Sequence, residues 1–256
     1  MPNPRAIVLR APGTNCDEET AEAWERAGAE AETWHVGRLL ASPHALDDFQ
    51  ILTLPGGFSY GDDLGAGRIL ATRLGIVLED ALARFHDRGG LVMGICNGFQ
   101  VLVRAGLLPG GPKPVAATLT NNDSGHYESR WVRLLPTPGL SPFVTDSEMI
   151  ELPVGHGEGK FVVSERSALA EMESAGQVVL RYADEQGRPT DDYPANPNGS
   201  LGAVAGVCDP TGRIFGLMPH PDRHFDPLLH PRWTRRGLAA EGDGLRLFRN
   251  AVEALR

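Results

Sequence analysis

Through residue 105, short apolar runs alternate with stretches of helical spacing. AIVLR (6–10) is a candidate buried strand. After a loop, DEETAEAWERAG (17–28) sets Thr20, Trp24 and Ala27 on one helical face. It opens on acidic residues, which suit a helix N-terminus, and closes on Gly28, which suits a C-terminus. AETWHV (31–36) and QILTL (50–54) predict two further strands, and ILATRLGIVLEDALARF (69–85) predicts one helix from apolar residues at 70, 74, 77, 81 and 85. LVMGI (91–95) reads as strand again. Such alternation predicts an α/β fold, a mostly parallel central sheet with helices on both faces, in which ligands gather at the C-terminal ends of strands. PGGFSYGD (55–62) and Cys96 both lie at such ends.

From about residue 115 to 217 the pattern changes. ESRWVRLL, MIELPV, KFVV, QVVLRYA, AVAGVC and RIFGLM are strand candidates separated by Pro, Gly and Asn turns, which predicts sheet extensions and β-hairpins. The last segment, DGLRLFRNAVEALR (243–256), carries Leu245, Phe248, Val252 and Leu255 on one helical face that would pack back on the sheet. YPANPNGS (193–200) reads as a loop. No repeat, low-complexity tract or linker divides the sequence, so a single domain over 1–256 is expected.

Composition narrows the function classes. At 41% hydrophobic and 22% charged, the 256 residues lack the polar bias of disorder, and no apolar run approaches the roughly 20 residues that cross a bilayer. The N-terminal residues read as a first strand rather than a signal peptide, so a cytoplasmic location is expected. Lys and Arg number 24 against 33 Asp and Glu, a net charge of −9, which argues against a nucleic-acid surface. Cys16, Cys96 and Cys208 are odd in number, far apart and without CxxC. Neither a disulfide framework nor a metal site is indicated.

Candidate chemistry centres on GICNGFQ (94–100), where a buried strand turns into a helix. Gly94 and Gly98 flank Cys96 as small residues flank a nucleophile elbow, and a helix N-terminus favours thiolate. The amide of Asn97 would face an oxyanion, with a second donor from Gly56 and Gly57. A lone cysteine after a strand is more often structural, so the elbow needs a base. His220 in MPHPDR is the best candidate, with Asp222 two residues on to orient its imidazole. In PVGHGEGKF, His156 and Glu158 fit a ligand-shaping loop better than catalysis or a metal site. Arg232, Arg235 and Arg236 around Trp233 form either a solvated basic loop or a docking patch. PGGFSYGD is not GxxxxGK[ST], so no phosphate loop is expected. These residues alone leave open another cysteine hydrolase or a non-catalytic binding module.

Over nearly its whole length the sequence resembles the glutamine amidotransferase component of phosphoribosylformylglycinamidine synthase, a class I, triad-type amidotransferase with a flavodoxin-like fold. The segments that carry the likeness are APGTNCDEET, LPGGFSYGDDLGAGRILA, GICNGFQVL, NDSGHYESRWV, LPVGHGEGKF, NPNGS, GLMPHPDR and EGDGLRLFRNAV. GICNGFQ with a distant HP segment indicates the class; GGFSYGDDLGAGRILA, HGEG and PRWTRR indicate the branch. The resemblance implies Cys96 as nucleophile, His220 as base and Asp222 as third triad member, with Gly57 and Asn97 at the oxyanion hole. Gln100 would contact L-glutamine, beside Gly56, His156 and Glu158. It also implies a large ATP-dependent synthetase partner that holds ATP and Mg2+, a small bridging subunit, and no cofactor in this chain. Two positions depart from the family pattern: Asp222 replaces the usual glutamate, and Gly155 the usual alanine.

Overall fold

The computed structural model describes residues 2–110 and 117–256. Eleven strands are present among them: β1 (Arg5–Arg10), β2 (Glu30–His35), β3 (Ile51–Leu54), β4 (Leu91–Ile95), β5 (Ala117–Thr120), β6 (Glu128–Pro136), β7 (Ile150–His156), β8 (Lys160–Val163), β9 (Val178–Ala183), β10 (Val204–Cys208) and β11 (Ile214–Leu217). The α-helices are α1 (Asp17–Ala27), α2 (Val36–Ala41), α3 (Arg68–Val77), α4 (Glu79–Asp87), α5 (Asn97–Arg104), α6 (Arg166–Ser174), α7 (Trp233–Arg236) and α8 (Leu245–Ala254).

Nine strands make one sheet in the order β2-β1-β3-β4-β11-β10-β9-β6-β7. From β2 to β11 neighbours run parallel, and from β11 to β7 antiparallel. β3, β4 and β11 are buried at every position, as apolar runs covered on both faces must be. β6 and β7 alternate buried with partly exposed residues, the mark of sheet with one wet face. Strand β5, which its sequence did not reveal, pairs with β8 in a separate ladder. Only Leu119 of its four residues is buried, so its alternation is too short to recognise.

α1 and α8 pack together through Trp24 and Phe248, edge to face with centroids 4.8 Å apart. Both rings are fully buried, and side chains of this size contribute about 2–3 kcal/mol each by leaving water. Residues 68–87 form two helices where the spacing predicts one. Leu78 leaves helical geometry at φ −108, ψ 4 while its N–H still bonds Leu74. That bend shifts the phase: Leu78 takes the core position and Val77 turns to solvent.

Candidate active site

Four neighbouring parallel strands, β1, β3, β4 and β11, release their chains at one edge of the sheet. The segments they release supply Asn15 and Cys16, Gly57 and Phe58, Cys96, and His220 and Arg223. With Tyr127 and Gly155 these line one small cavity of about 90 Å³. The sheet thus brings together residues up to 208 positions apart, Asn15 and Arg223.

Cys96 separates β4 from α5 and has φ 50, ψ −103, a left-handed conformation that side chains avoid. Its N–H bonds the Leu217 carbonyl at 2.8 Å, which fixes β4 to β11 at the turn. The positive torsion falls on the cysteine itself, whereas the sequence placed the sharp turn on the flanking glycines. Those glycines serve a close approach instead: a Cβ on Gly98 would lie 1.8 Å from the Leu54 carbonyl oxygen, and one on Gly94 2.5 Å from Leu102. α5 can therefore start hard against β3. The thiol is 5% exposed, with Sγ 3.5 Å from the Gly155 carbonyl oxygen.

His220 is 2% exposed and its N–H is held by the Pro153 carbonyl at 2.8 Å. Its Nδ1 lies 3.2 Å from Asp222 Oδ1, so the shorter carboxylate does reach the ring. The reach comes from a turn. His220 is extended, and Pro221–Arg223 is a 3-10 turn that brings Asp222 back. Asp222 is fully buried, and Thr20 Oγ1 lies 3.3 Å from its other oxygen. Burial alone would lower the pKa of His220, but the charges of Asp222 and Cys96 outweigh it and hold the imidazole well above its usual range. Gly56 lies under the ring: a Cβ there would sit 2.5 Å from His220 Cε1 and 3.1 Å from Cys16 Sγ.

Gly57 has φ +142 and bridges Thr14. Among the described residues neither its N–H nor that of Asn97 has a protein acceptor. The Asn97 side chain is spent on scaffolding, accepting from Ser59 N–H at 3.1 Å and donating to Asp62 and Gln100.

Four expected substrate contacts lie off the cavity wall. Gly56 is covered by His220. Gln100 is buried and donates to the Glu158 carbonyl at 2.6 Å. His156 is buried between Asn122 and Asn198, and burial pushes its pKa down to about 4. The Glu158 carboxylate faces Arg104 at 3.5 Å. Gln100, His156 and Glu158 thus brace the loop that presents Gly155. Of the basic cluster near Trp233, Arg232 and Arg236 pair with Glu151, which leaves less of it for docking.

Sequence reasoning passed over Cys16, Arg223 and Tyr127. Cys16 precedes α1, with its Sγ 4.0 Å from His220 Nδ1 and 3.0 Å from Arg223 Nη2. Burial raises its pKa against the opposing effect of His220. Its signal was available, because the loop after β1 is also a C-terminal strand end.

On this fold, a thiol at a strained strand-to-helix turn shares a cavity with a carboxylate-held imidazole, an arrangement suited to a cysteine nucleophile. Residues 3–254 match the CobB/CobQ-like glutamine amidotransferase domain. The chain is 48% identical to phosphoribosylformylglycinamidine synthase subunit PurQ of Dehalococcoides mccartyi, over 99% of this chain and 98% of that one. It is 38% identical to the protein of that name from Methanococcus maripaludis, over 98% and 97%. A solved structure described as PurLQS from Thermotoga maritima superposes with TM-score 0.75 at 33% identity, over 99% of this chain and 100% of that one. A glutamine amidotransferase from Thermotoga maritima, 14% identical with TM-score 0.58 over 99% and 98%, shares the fold. The chain belongs to the CobB/CobQ-like glutamine amidotransferase family and, within it, to the PurQ subunits of phosphoribosylformylglycinamidine synthase.

Proposed function

We infer that this chain is the glutaminase subunit of a phosphoribosylformylglycinamidine synthase. It hydrolyses L-glutamine to glutamate and ammonia. The ammonia goes to a partner ATP-dependent synthetase that converts formylglycinamide ribonucleotide to formylglycinamidine ribonucleotide in purine biosynthesis. The observation that carries this reading is the cavity shared by Cys96, at its positive φ, and His220, whose Nδ1 faces Asp222.

Cys96 thiolate attacks the side-chain amide carbon, and the oxyanion is received by the N–H groups of Gly57 and Asn97. His220, charged in the resting site, gives its proton to the departing ammonia, which leaves a glutamyl thioester. The now neutral ring takes a proton from water as it attacks the thioester. Asp222 holds the Nδ1 side of the ring throughout.

Free ammonia is protonated in neutral water and is then not a nucleophile, so its delivery calls for a docked partner and a shielded route. ATP and Mg2+ belong to the large synthetase subunit, and this chain needs no cofactor. A small bridging subunit completes the complex, in keeping with the PurLQS superposition. The whole chain acts as one domain in the cytoplasm, and no described helix is long and apolar enough to cross a membrane.

The test is Cys96→Ala assayed in the assembled complex. Glutamine-dependent synthesis should vanish while synthesis from added ammonia persists. Equal loss of both would remove the role given to Cys96.

A further inference from the structure

Beyond the residues that act on glutamine, the cavity holds a second thiol, and its surroundings have the composition of a cation site. Cys16 Sγ, the His220 ring nitrogens and the Asp222 carboxylate offer one donor atom each within 4.8 Å of one another, and all three residues are buried. Two edges of this cluster are 4.0 Å, from Cys16 Sγ to His220 Nδ1, and 3.2 Å, from that nitrogen to Asp222 Oδ1. A tetrahedral zinc ion with bonds of about 2.0 Å to N and O and about 2.3 Å to S needs ligand–ligand edges of roughly 3.3–3.6 Å. Small side-chain shifts close the difference. A second feature is independent of the donors: Gly56 carries no side chain to separate ring from sulfur, since a Cβ there would lie 2.5 Å from His220 Cε1 and 3.1 Å from Cys16 Sγ.

We propose that Cys16, His220 and Asp222 form a binding site for a zinc-type divalent cation, occupied in place of the proton between His220 and Asp222, and that its occupation switches the glutaminase off. The donor set is thiolate, imidazole and carboxylate, a combination zinc favours, with a fourth position left toward the cavity that Cys96 also lines. Binding releases two protons to solvent, one from the Cys16 thiol and one from Nδ1 of the imidazolium. The ring keeps its remaining proton on Nε2 and so has no nitrogen left to accept one. Arg223 is the competitor, because its guanidinium lies 3.0 Å from the same sulfur. It is 41% exposed and has Glu19 at 3.4 Å as an alternative partner, so it can swing aside.

The binding half of the proposal stands without the enzymatic reading; the inhibitory half rests on it. The experiment titrates Zn2+ alone into the full reduced chain against a chromophoric chelator. One equivalent should bind to wild type and also to Cys96→Ala. Cys16→Ser, checked for an unchanged melting curve, should bind at least tenfold more weakly, and Arg223→Gln should bind more tightly. Co2+ added to Cys96→Ala should give a thiolate charge-transfer absorption that the Cys16→Ser/Cys96→Ala double variant lacks. In the assembled complex, Zn2+ should abolish glutamine-dependent but not ammonia-dependent synthesis, reversibly on adding chelator. Equal binding by Cys16→Ser and wild type, or loss of binding in Cys96→Ala, would overturn the site. An active glutaminase indifferent to saturating Zn2+ would overturn the switch. A complex without glutaminase activity would instead sink the function proposed above and leave the zinc titration to judge the site.

Discussion

At Asp222 a carboxylate one methylene shorter than the family's usual glutamate still lies 3.2 Å from the imidazole, because a 3-10 turn carries it back toward the ring. In the proposed mechanism it fixes the tautomer and favours the charged ring, so charge should matter more than length. Asp222→Asn, an amide that cannot balance the imidazolium, should lower kcat by roughly 10²- to 10⁴-fold. Asp222→Glu should stay within about tenfold of wild type. Steady-state glutaminase rates in the complex decide it; equal losses for both variants would mean that packing rather than charge governs the position. His156 gives a prediction of the opposite kind. Its imidazole titrates near 6.5 when unfolded and is pushed down to about 4 by burial in the fold. Between those values the unfolded chain binds more protons. The stability this group contributes is therefore complete above 6.5 and is lost as pH falls toward 4, up to about 3 kcal/mol. Urea melts at neutral pH and near pH 5 should show a smaller acid-induced loss in His156→Gln than in wild type.

The elbow between β4 and α5 is the element on which the site depends, and its tolerance is set by a backbone contact. Gly98→Ala would push a methyl into the Leu54 carbonyl, 1.8 Å away with no side chain free to yield. α5 and the turn at Cys96 must shift, at a cost of about 3 kcal/mol or more. Thermal melts should register the loss, and activity should fall further than stability explains, because Cys96 moves with the helix. This element was legible in the sequence, as were β1, β3, β4 and β11, since strands buried on both faces are unbroken apolar runs. What escaped was governed by contacts distant in sequence. β5 exists through its ladder with β8, and the break at Leu78 is a change of phase that periodicity averages away. The strain on Cys96 was read onto its glycine neighbours, because composition marks where a turn falls but not which residue bears its torsion. Cys16 was visible as a cysteine and invisible as a neighbour of His220, 204 positions away. His156 and Glu158 sit in a polar motif that reads equally as a site or as its support, and only burial separates the two.

For the whole molecule the governing fact is that the sheet gathers its chemistry at one edge while the cavity there is only about 90 Å³. Cys96 is 5% exposed and His220 2% exposed, so both side chains are nearly closed off from solvent in the isolated chain. L-glutamine and the later water must reach a pocket of that size, and displacement of the groups at its mouth has to accompany turnover. Phe58 and Tyr127 line the cavity yet are 45% and 54% exposed, with ring centroids 6.4 Å apart, which makes them the part of the wall least held by packing. A partner that stabilises the open arrangement would raise glutaminase turnover by population shift, by as much as its preference for that arrangement allows. The free chain should therefore hydrolyse glutamine slowly, and titration with the synthetase should raise kcat/KM by about tenfold or more, saturating at the stoichiometry of the complex. Phe58→Ala with Tyr127→Ala should raise the basal rate and shrink the activation, since the wall no longer needs to be moved. A free chain that already turns over at the rate of the complex would place the control in ammonia transfer instead, and the two rates are separable by measuring glutamate release and ribonucleotide amidination in the same reaction.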